Sequence, residues 1–193
     1  NLSKVKTLLD SEENDEIPYF TDYTFSADES KIILATNVVP IFRRSTLGIY
    51  YVYSIKENTI VEVSKEKIQE PTFSPDASKV AYGFINNLYV KDLKTGELKQ
   101  ITTDGIKNKI INGITDWVYE EEFGFVRAFE WNANSNKIAY LRFDETEVPE
   151  FSMDLYGQAL YQTQQVFKYP KAGEKNAEVS LYIFDLNTNT SFE

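Results

Sequence analysis

Three consecutive carboxylates in the middle of the chain are the residues best suited to chemistry. Residues 120–122 are all Glu, and aromatic residues stand just before them at 117 and 119 and just after them at 123 and 125. A solvated acidic stretch usually has polar neighbours, so we expect these carboxylates to be held on a packed platform. Two carboxylates that converge on one point can accept the three N–H donors of an ammonium group, and each charge pair at about 4 Å contributes on the order of 4 kcal/mol at an effective dielectric near 20. The segment therefore predicts a site for a charged amine.

Spacing alone leaves a second interpretation of this segment open. The carboxylates could form a solvated acidic turn, or they could pair with Lys or Arg side chains nearby. A helical turn is predicted within residues 114–125, with Thr115 or Asp116 as its N-cap and the acidic residues near the positive end of the helix dipole. Trp117 and Tyr119 are predicted to anchor the segment in the core instead of contacting a ligand.

Composition predicts one folded domain that is mainly β. The chain has 193 residues, of which 42% are hydrophobic, enough for a sizeable core. Phe and Tyr number 13 each, against 8 Gly and 6 Pro, a balance typical of sheets whose interfaces are filled by aromatic side chains.

Charge and missing residue types exclude several functions. The net charge of -10 argues against nucleic-acid binding, which needs a basic surface. The chain has no His and no Cys, so a Ser-His-Asp triad, disulfides and Cys/His zinc sites are excluded within these residues. No metal-ligand spacing is present, and we expect no cofactor. No apolar stretch reaches about 18 residues, so we expect no membrane span.

A repeat organises most of the chain. Residues 25–32, 73–80 and 131–138 each begin with an aromatic residue, continue through a polar turn and end with Lys and an aliphatic strand. A second strand signature follows each of them, at residues 51–55, 88–93 and 181–186. Two successive hairpins make four short strands per repeat. Asp28 and Asp76 in the repeat turns are predicted to bond their own backbone, although Asp clusters can also bind calcium.

The spacing of the repeats predicts an all-β propeller fragment. Phe25 and Phe73 lie 48 residues apart and Trp131 follows 58 residues later, close to the roughly 40–50 residues of a propeller blade, with the Glu-rich segment as an insertion. About three blades are present, whereas closed propellers have roughly four to eight, so residues 1–193 are predicted to be part of a larger ring that continues past residue 193. A compact β-sandwich built from the same strands is the alternative.

Two stretches of the chain fall outside the repeats. Residues 1–11 are predicted to form a capping strand or a short helix, with an acidic loop over residues 12–16. Residues 143–173 are predicted to form either a loop or an extra hairpin that projects from the ring.

Three motifs in the same order and spacing resemble the dipeptidyl peptidase IV family. They are residues 112–122, which end in Tyr-Glu-Glu-Glu, residues 144–149 and residues 169–173. The resemblance implies a serine exopeptidase of the prolyl oligopeptidase clan, with an eight-bladed propeller that covers an α/β-hydrolase domain. Such enzymes release dipeptides with Pro or Ala in the second position from free amino termini, so peptides and the hydrolase domain are the implied partners, with a possible homodimer of the full-length protein.

The resemblance also implies roles for individual residues. Glu121 and Glu122 would hold the ammonium group of the substrate, and Glu120 would be a neighbour only. Arg43 would contact the carbonyl between the two leaving residues, with Arg44 as its rival, and a cation such as Arg43 would keep both carboxylates charged.

The chain departs from the family in lacking the hydrolase domain with its Ser, Asp and His. The full-length protein is therefore expected to be a serine-type dipeptidyl peptidase, while this fragment alone is expected to be inactive. The Cys pairs of some secreted relatives are missing, which suggests a bacterial type of member without disulfides. Because relatives of that type are usually exported, the resemblance implies a periplasmic or secreted location. A non-catalytic propeller that binds proteins or peptides is the alternative function.

Overall fold

Residues 5–14 and 19–193 are described by the computed structural model of the chain, and their regular secondary structure consists almost entirely of antiparallel strands. The first sheet contains β1 (Asp22–Phe25), β2 (Lys31–Pro40), β3 (Thr46–Ser54) and β4 (Thr59–Glu62). The second contains β5 (Gln69–Phe73), β6 (Lys79–Phe84), β7 (Asn87–Asp92) and β8 (Leu98–Gln100). The remaining elements are β9 (Ile110–Asn112), α1 (Trp117–Phe123), β10 (Phe129–Trp131), β11 (Lys137–Asp144), β12 (Glu150–Leu155), β13 (Thr163–Lys168), β14 (Glu178–Asp185) and β15 (Thr190–Phe192).

Each predicted repeat forms four strands of an antiparallel sheet, and in the third sheet β9 adds a fifth strand. The strand orders are β1-β2-β3-β4, β5-β6-β7-β8 and β10-β11-β14-β15. The turn of the first repeat is built as predicted, because Asp28 accepts hydrogen bonds from the Ser26 hydroxyl at 2.7 Å and from the Ser30 backbone N–H at 3.1 Å. These bonds, together with one from the Ser30 hydroxyl, lower the pKa of Asp28 to about 2. Asp76 accepts the equivalent bonds in the second repeat, so the turn-forming role of both residues is confirmed.

The third sheet carries two insertions. One insertion lies between β8 and β10 and contains β9 and α1. In it, β9 pairs with β11, on the same side of β11 as β10. The other is the hairpin β12–β13, inserted between β11 and β14, which pair directly with each other. The hairpin alternative for residues 143–173 is therefore confirmed, and so is the Glu-rich insertion.

The sheets stack on one another, and the second sheet is covered on both faces. Val80 and Tyr82 of β6 pack with Ile33 and Val52 of the first sheet. Ala81, whose side chain points to the opposite face, packs instead with residues of the third sheet that include Phe129, Ile138 and Phe184. A two-sheet sandwich would leave one face of every sheet outside the core, so this sequential stacking supports successive blades of a propeller fragment.

The amino-terminal predictions are met only in part. No strand or helix forms over the described residues 5–10, so the capping element predicted there is wrong for these residues. Ser11–Glu13 form a short 3-10 helix where an acidic loop was expected. The rest of these two predictions falls on residues 1–4 and 15–18, outside the described residues. Within the described chain, no helix has the length and apolar character needed to cross a membrane.

Candidate functional site

The acidic run forms a short helix with a cap at each end. Asp116 is the N-cap, and its carboxylate accepts the backbone N–H of Tyr119 at 2.9 Å. Gly124 ends the helix in the left-handed conformation, with φ of 74° and its N–H bonded to the Glu120 carbonyl at 3.1 Å. Burial raises the pKa of Asp116, while the bonds from the first-turn N–H groups act against this rise. The predicted helical turn is confirmed, and of the two predicted caps Asp116 is the one used.

The helix stands at the tip of an excursion from the edge of the third sheet. The base of the excursion is closed by a bridge between Ile114 and Arg127 and by a hydrogen bond from the Thr115 N–H to the Val126 carbonyl at 3.0 Å. Because both ends of the excursion are bonded at this base, the sheet edge sets where the segment that contains α1 leaves and rejoins the sheet.

Aromatic side chains hold the helix from the side of the hairpin β12–β13 and from the sheet. The ring of Trp117 lies 4.8 Å from Tyr169 and 5.8 Å from Phe167, measured between centroids. On the other side, Tyr119 lies 5.0 Å from the fully buried Phe143. The predicted anchoring role of Trp117 and Tyr119 is confirmed, and the hairpin is part of the support.

The loop between β2 and β3 brings Arg43 to the helix. The loop is closed by a hydrogen bond from the Ile41 N–H to the Ser45 carbonyl at 2.8 Å. The Nε atom of Arg43 lies 2.8 Å from Oε2 and 3.2 Å from Oε1 of Glu121. The Glu121 side chain is only 16% exposed, whereas that of Arg43 is 72% exposed, so the guanidinium is open to solvent on the far side of the pair. Two predicted site residues 78 positions apart therefore meet.

The second arginine of the loop points elsewhere. Arg44 forms no ion pair with a described residue, and its guanidinium lies beside Gly124, where an added Cβ would stand 3.8 Å from it. Arg44 lines a cavity of about 740 Å³ to which the first, second and third sheets all contribute, together with Tyr50, Glu70 and Arg127. Arg43 is therefore the member of the pair that accompanies Glu121.

Glu122 is exposed and also forms no ion pair with a described residue. It follows Glu121 directly on α1, so the two carboxylates share one end of the helix. That they converge on one ammonium group stays a prediction.

Glu120 has a role that the sequence did not reveal. Its side chain is 1% exposed, and its Oε1 atom accepts the backbone N–H groups of Arg44 at 2.6 Å and Ser45 at 2.9 Å. It is a neighbour of the candidate amine-binding pair, as expected, but it also joins α1 to the arginine loop.

Comparisons with known proteins agree on one family. The sequence model described as the dipeptidyl peptidase IV (DPP IV) N-terminal region matches residues 26–193. Prolyl endopeptidase FAP of Homo sapiens is 36% identical over 168 residues, which cover 86% of this chain and 22% of that protein. Dipeptidyl peptidase 4 of Sus scrofa is 35% identical over 188 residues, which cover 93% of this chain and 24% of that protein.

A solved structure shows the same architecture. The crystal structure of Porphyromonas gingivalis dipeptidyl peptidase 4 superimposes with a TM-score of 0.91 at 38% sequence identity, over 97% of this chain and 27% of that one. The chain thus spans only about a quarter of the length of the relatives it matches.

Proposed function

Because the chain belongs to the dipeptidyl peptidase IV N-terminal region family, we propose that it supplies the amine-binding gate of a serine exopeptidase. The gate would hold the free amino terminus of a peptide so that an X-Pro or X-Ala dipeptide is released. The observation that carries the proposal is the pair between Arg43 and Glu121, which sets a solvent-facing guanidinium against a carboxylate beside the exposed Glu122.

The chemistry of Arg43 and the two carboxylates suits the two ends of the first substrate residue, its ammonium group and its carbonyl. A guanidinium has five N–H donors, and the bonds to Glu121 use the Nε–H, so the terminal N–H groups of Arg43 are available for a substrate carbonyl. The carboxylates of Glu121 and Glu122 would accept the N–H groups of the ammonium. With both ends of the first residue held, the scissile bond lies a set distance further along the peptide. Two-residue cleavage then follows from distance, and positioning of this kind accounts for a large part of enzymatic rate.

The nucleophile has to come from outside these 193 residues. The chain contains no His, so it cannot form a Ser-His-Asp triad, and the proposal assigns catalysis to an α/β-hydrolase domain of the same protein. Residues 1–193 alone are accordingly proposed to be an inactive part of the propeller. A periplasmic or secreted location is proposed for the whole protein.

The names of the relatives point to a competing reaction, endopeptidase cleavage within a peptide. One of them is a dipeptidyl peptidase, but the human relative is called a prolyl endopeptidase, and an endopeptidase has no need of a free substrate amine. The dependence of cleavage on that amine therefore separates the two reactions.

The experiment compares a Gly-Pro chromogenic amide with its N-acetylated form, using the whole protein that contains this chain. The proposal predicts cleavage of the free amine only. Glu121→Gln and Glu122→Gln are each expected to lower kcat/KM about 30-fold or more, since each removes a charge partner of the ammonium. Glu97→Gln is the matched control, because Glu97 is an exposed carboxylate in the turn between β7 and β8.

Three other outcomes would each redirect the proposal. Equal cleavage of both amides would indicate an endopeptidase. Cleavage of the free amine that is unaffected by both Glu substitutions would contradict the assigned carboxylates. No cleavage of either amide by the folded whole protein would favour a propeller that binds peptides or proteins without catalysis.

A homodimer of the whole protein is also part of the proposal, and the hairpin β12–β13 supports it. Leu160 is 92% exposed, and the neighbouring Tyr156 and Tyr161 are 82% and 78% exposed, so an apolar surface is concentrated at the tip. Sedimentation of the whole protein is expected to show a dimer that Leu160→Glu weakens. A monomeric wild type would contradict this part of the proposal.

A further inference from the structure

We propose that Glu120 is a positioning residue that fixes the Arg43 loop against α1, and so sets the geometry in which Arg43 and Glu121 meet a substrate. The inference rests on the proposed function, since it names the device that holds the same gate. It assigns to the first of the three glutamates a role distinct from that of the other two.

The contact has the properties of an anchor. One oxygen of a carboxylate that is 1% exposed accepts two consecutive backbone N–H groups, those of Arg44 and Ser45, at 2.6 and 2.9 Å. Hydrogen bonds to a charged acceptor are roughly twice as strong as neutral ones. Without this acceptor the two N–H groups would be left without a partner, at a cost that buried polar groups rarely bear.

The anchor stands directly beside the functional contact. Glu120 holds the backbone of Arg44, and the next residue of the helix, Glu121, holds the side chain of Arg43. Two neighbouring residues of α1 therefore bind two neighbouring residues of the loop. One link is buried and goes to the backbone, whereas the other is exposed and goes to a long flexible side chain. The buried link is the one able to fix where the loop lies.

Other contacts do not replace this link. The bond from the Ile41 N–H to the Ser45 carbonyl closes the loop on itself but does not tie it to the helix. Phe42 contacts Phe167 of the hairpin at 5.9 Å, which holds the outer side of the loop. Exposed ion pairs such as Arg43 with Glu121 contribute little to structure by themselves. Loss of the Glu120 acceptor is therefore expected to displace Arg43 while the fold persists.

The first test measures kcat/KM for the free Gly-Pro amide with three variants of the whole protein. Glu120→Met keeps the side-chain length but removes the acceptor, and we expect a loss of about 10- to 100-fold, the scale of a roughly 1 Å misplacement. Glu120→Gln keeps an oxygen that can accept both N–H groups, and we expect it to stay within about threefold of wild type. Glu120→Asp is too short to reach both N–H groups, so it takes the place of Glu120→Met if that variant does not fold.

The second test asks whether Glu120 acts through Arg43. In an Arg43→Ala background, Glu120→Met is expected to cause little further loss, because the residue that it positions is already gone. Thr102→Val is the matched control, since the Thr102 hydroxyl accepts a buried backbone N–H from Leu88 at 3.0 Å in the second sheet. It is expected to lower stability with KM unchanged. Hydrolysis of a small acyl ester, which does not need the gate, should be the same in all variants.

Two results would overturn the inference. One is a kcat/KM that stays within twofold of wild type in Glu120→Met or, where that variant does not fold, in Glu120→Asp. The other is a loss that persists undiminished in the Arg43→Ala background or that extends equally to the acyl ester.

Hydrogen exchange separates failure of this inference from failure of the proposed function. The Arg44 and Ser45 amides are expected to be protected in the wild type and to exchange faster in Glu120→Met. Faster exchange, with activity that does not depend on Glu121, would reject the amine gate but keep the anchor. Unchanged exchange would reject the anchor even if Glu121 proved essential.

Discussion

The three glutamates of α1 occupy three different environments although they are consecutive. Successive residues of a helix point about 100° apart, so one short turn directs Glu120 into the core, Glu121 toward Arg43 and Glu122 into solvent. Only the second and third are open to a ligand. The triplet thus combines one buried carboxylate that bonds the loop backbone with the two carboxylates of the proposed gate.

A further carboxylate, buried near the helix, makes stability depend on pH. Glu145 is 5% exposed, and its pKa is raised from 4.5 to about 7, chiefly by burial and then by the charge of Asp116, with Lys168 acting in the opposite direction and Asp144 adding to the rise. The folded state therefore binds a proton more tightly than the unfolded state. The resulting stabilisation is complete below pH 4.5 and is lost as the pH rises through about 7.

Substitution of Glu145 by Gln is expected to remove this dependence. Relative to wild type, the variant should gain up to about 3 kcal/mol between pH 5 and pH 8, because the neutral amide avoids the cost of ionising a buried acid. Calorimetric melting of the whole protein at the two pH values measures the change. A difference between variant and wild type that is the same at both pH values would show that Glu145 does not titrate in this range.

At the scale of elements, α1 is too short to be stable by itself. An isolated helix needs about 12–15 residues to form in water, and α1 has seven. Its stability has to come from other contacts. These are the caps at Asp116 and Gly124, the hydrogen-bonded base of the excursion and the aromatic rings around Trp117. The candidate residues Glu121 and Glu122 are therefore only as well placed as these supports allow.

The helix end offers a test with a matched control. Gly124→Ala is expected to cost about 1 kcal/mol, because a Cβ disfavours the left-handed conformation, and to raise KM for the free amide by loosening α1. Gly96 has the same φ of 74° in the turn after β7, with no atom within 4 Å of an added Cβ. Gly96→Ala should cost a similar free energy with KM unchanged. Equal effects of the two changes on KM would contradict a specific role for the end of α1.

For the molecule as a whole, the close stacking of the second and third sheets sets where the excursion can begin. Gly83 of β6 faces Ile114 at the base of the excursion, and an added Cβ would stand 2.5 Å from Cγ1 and 2.8 Å from Cδ1 of that residue. Glycine is needed here for space and not for its conformational freedom. The contact places the origin of the α1 excursion against the second sheet.

The corresponding substitution is expected to act through Ile114. Gly83→Ala should destabilise the propeller by about 1–3 kcal/mol, the usual cost of overpacking. Combined with Ile114→Ala, which removes the clashing atoms, the total loss should be smaller than the sum of the two single losses. Thermal melting of the two single variants and the double variant measures this coupling. Strict additivity would mean that the clash is relieved by movement elsewhere.

Much of this architecture could be predicted because it is local in sequence. The hairpin turns around Asp28 and Asp76 and the alternation of the strands depend on residues a few positions apart, and they were predicted correctly. The N-cap of α1 was narrowed to Thr115 or Asp116, of which the structure uses Asp116. The spacing of the repeats likewise predicted sheets of four strands. The sequence by itself thus determined the all-β blade architecture, the family and the position of the acidic helix.

Only the tertiary structure decided which partners meet. Arg43 and Arg44 are adjacent and chemically alike, yet Arg43 pairs with Glu121 and Arg44 lines a cavity. Which of the two meets Glu121 depends on how the loop is oriented against α1. The burial of Glu120 has the same origin, because its acceptor role requires backbone N–H groups some 75 residues away in sequence. Contacts of this kind leave no local pattern, since the two segments come together only when the sheets that carry them have packed.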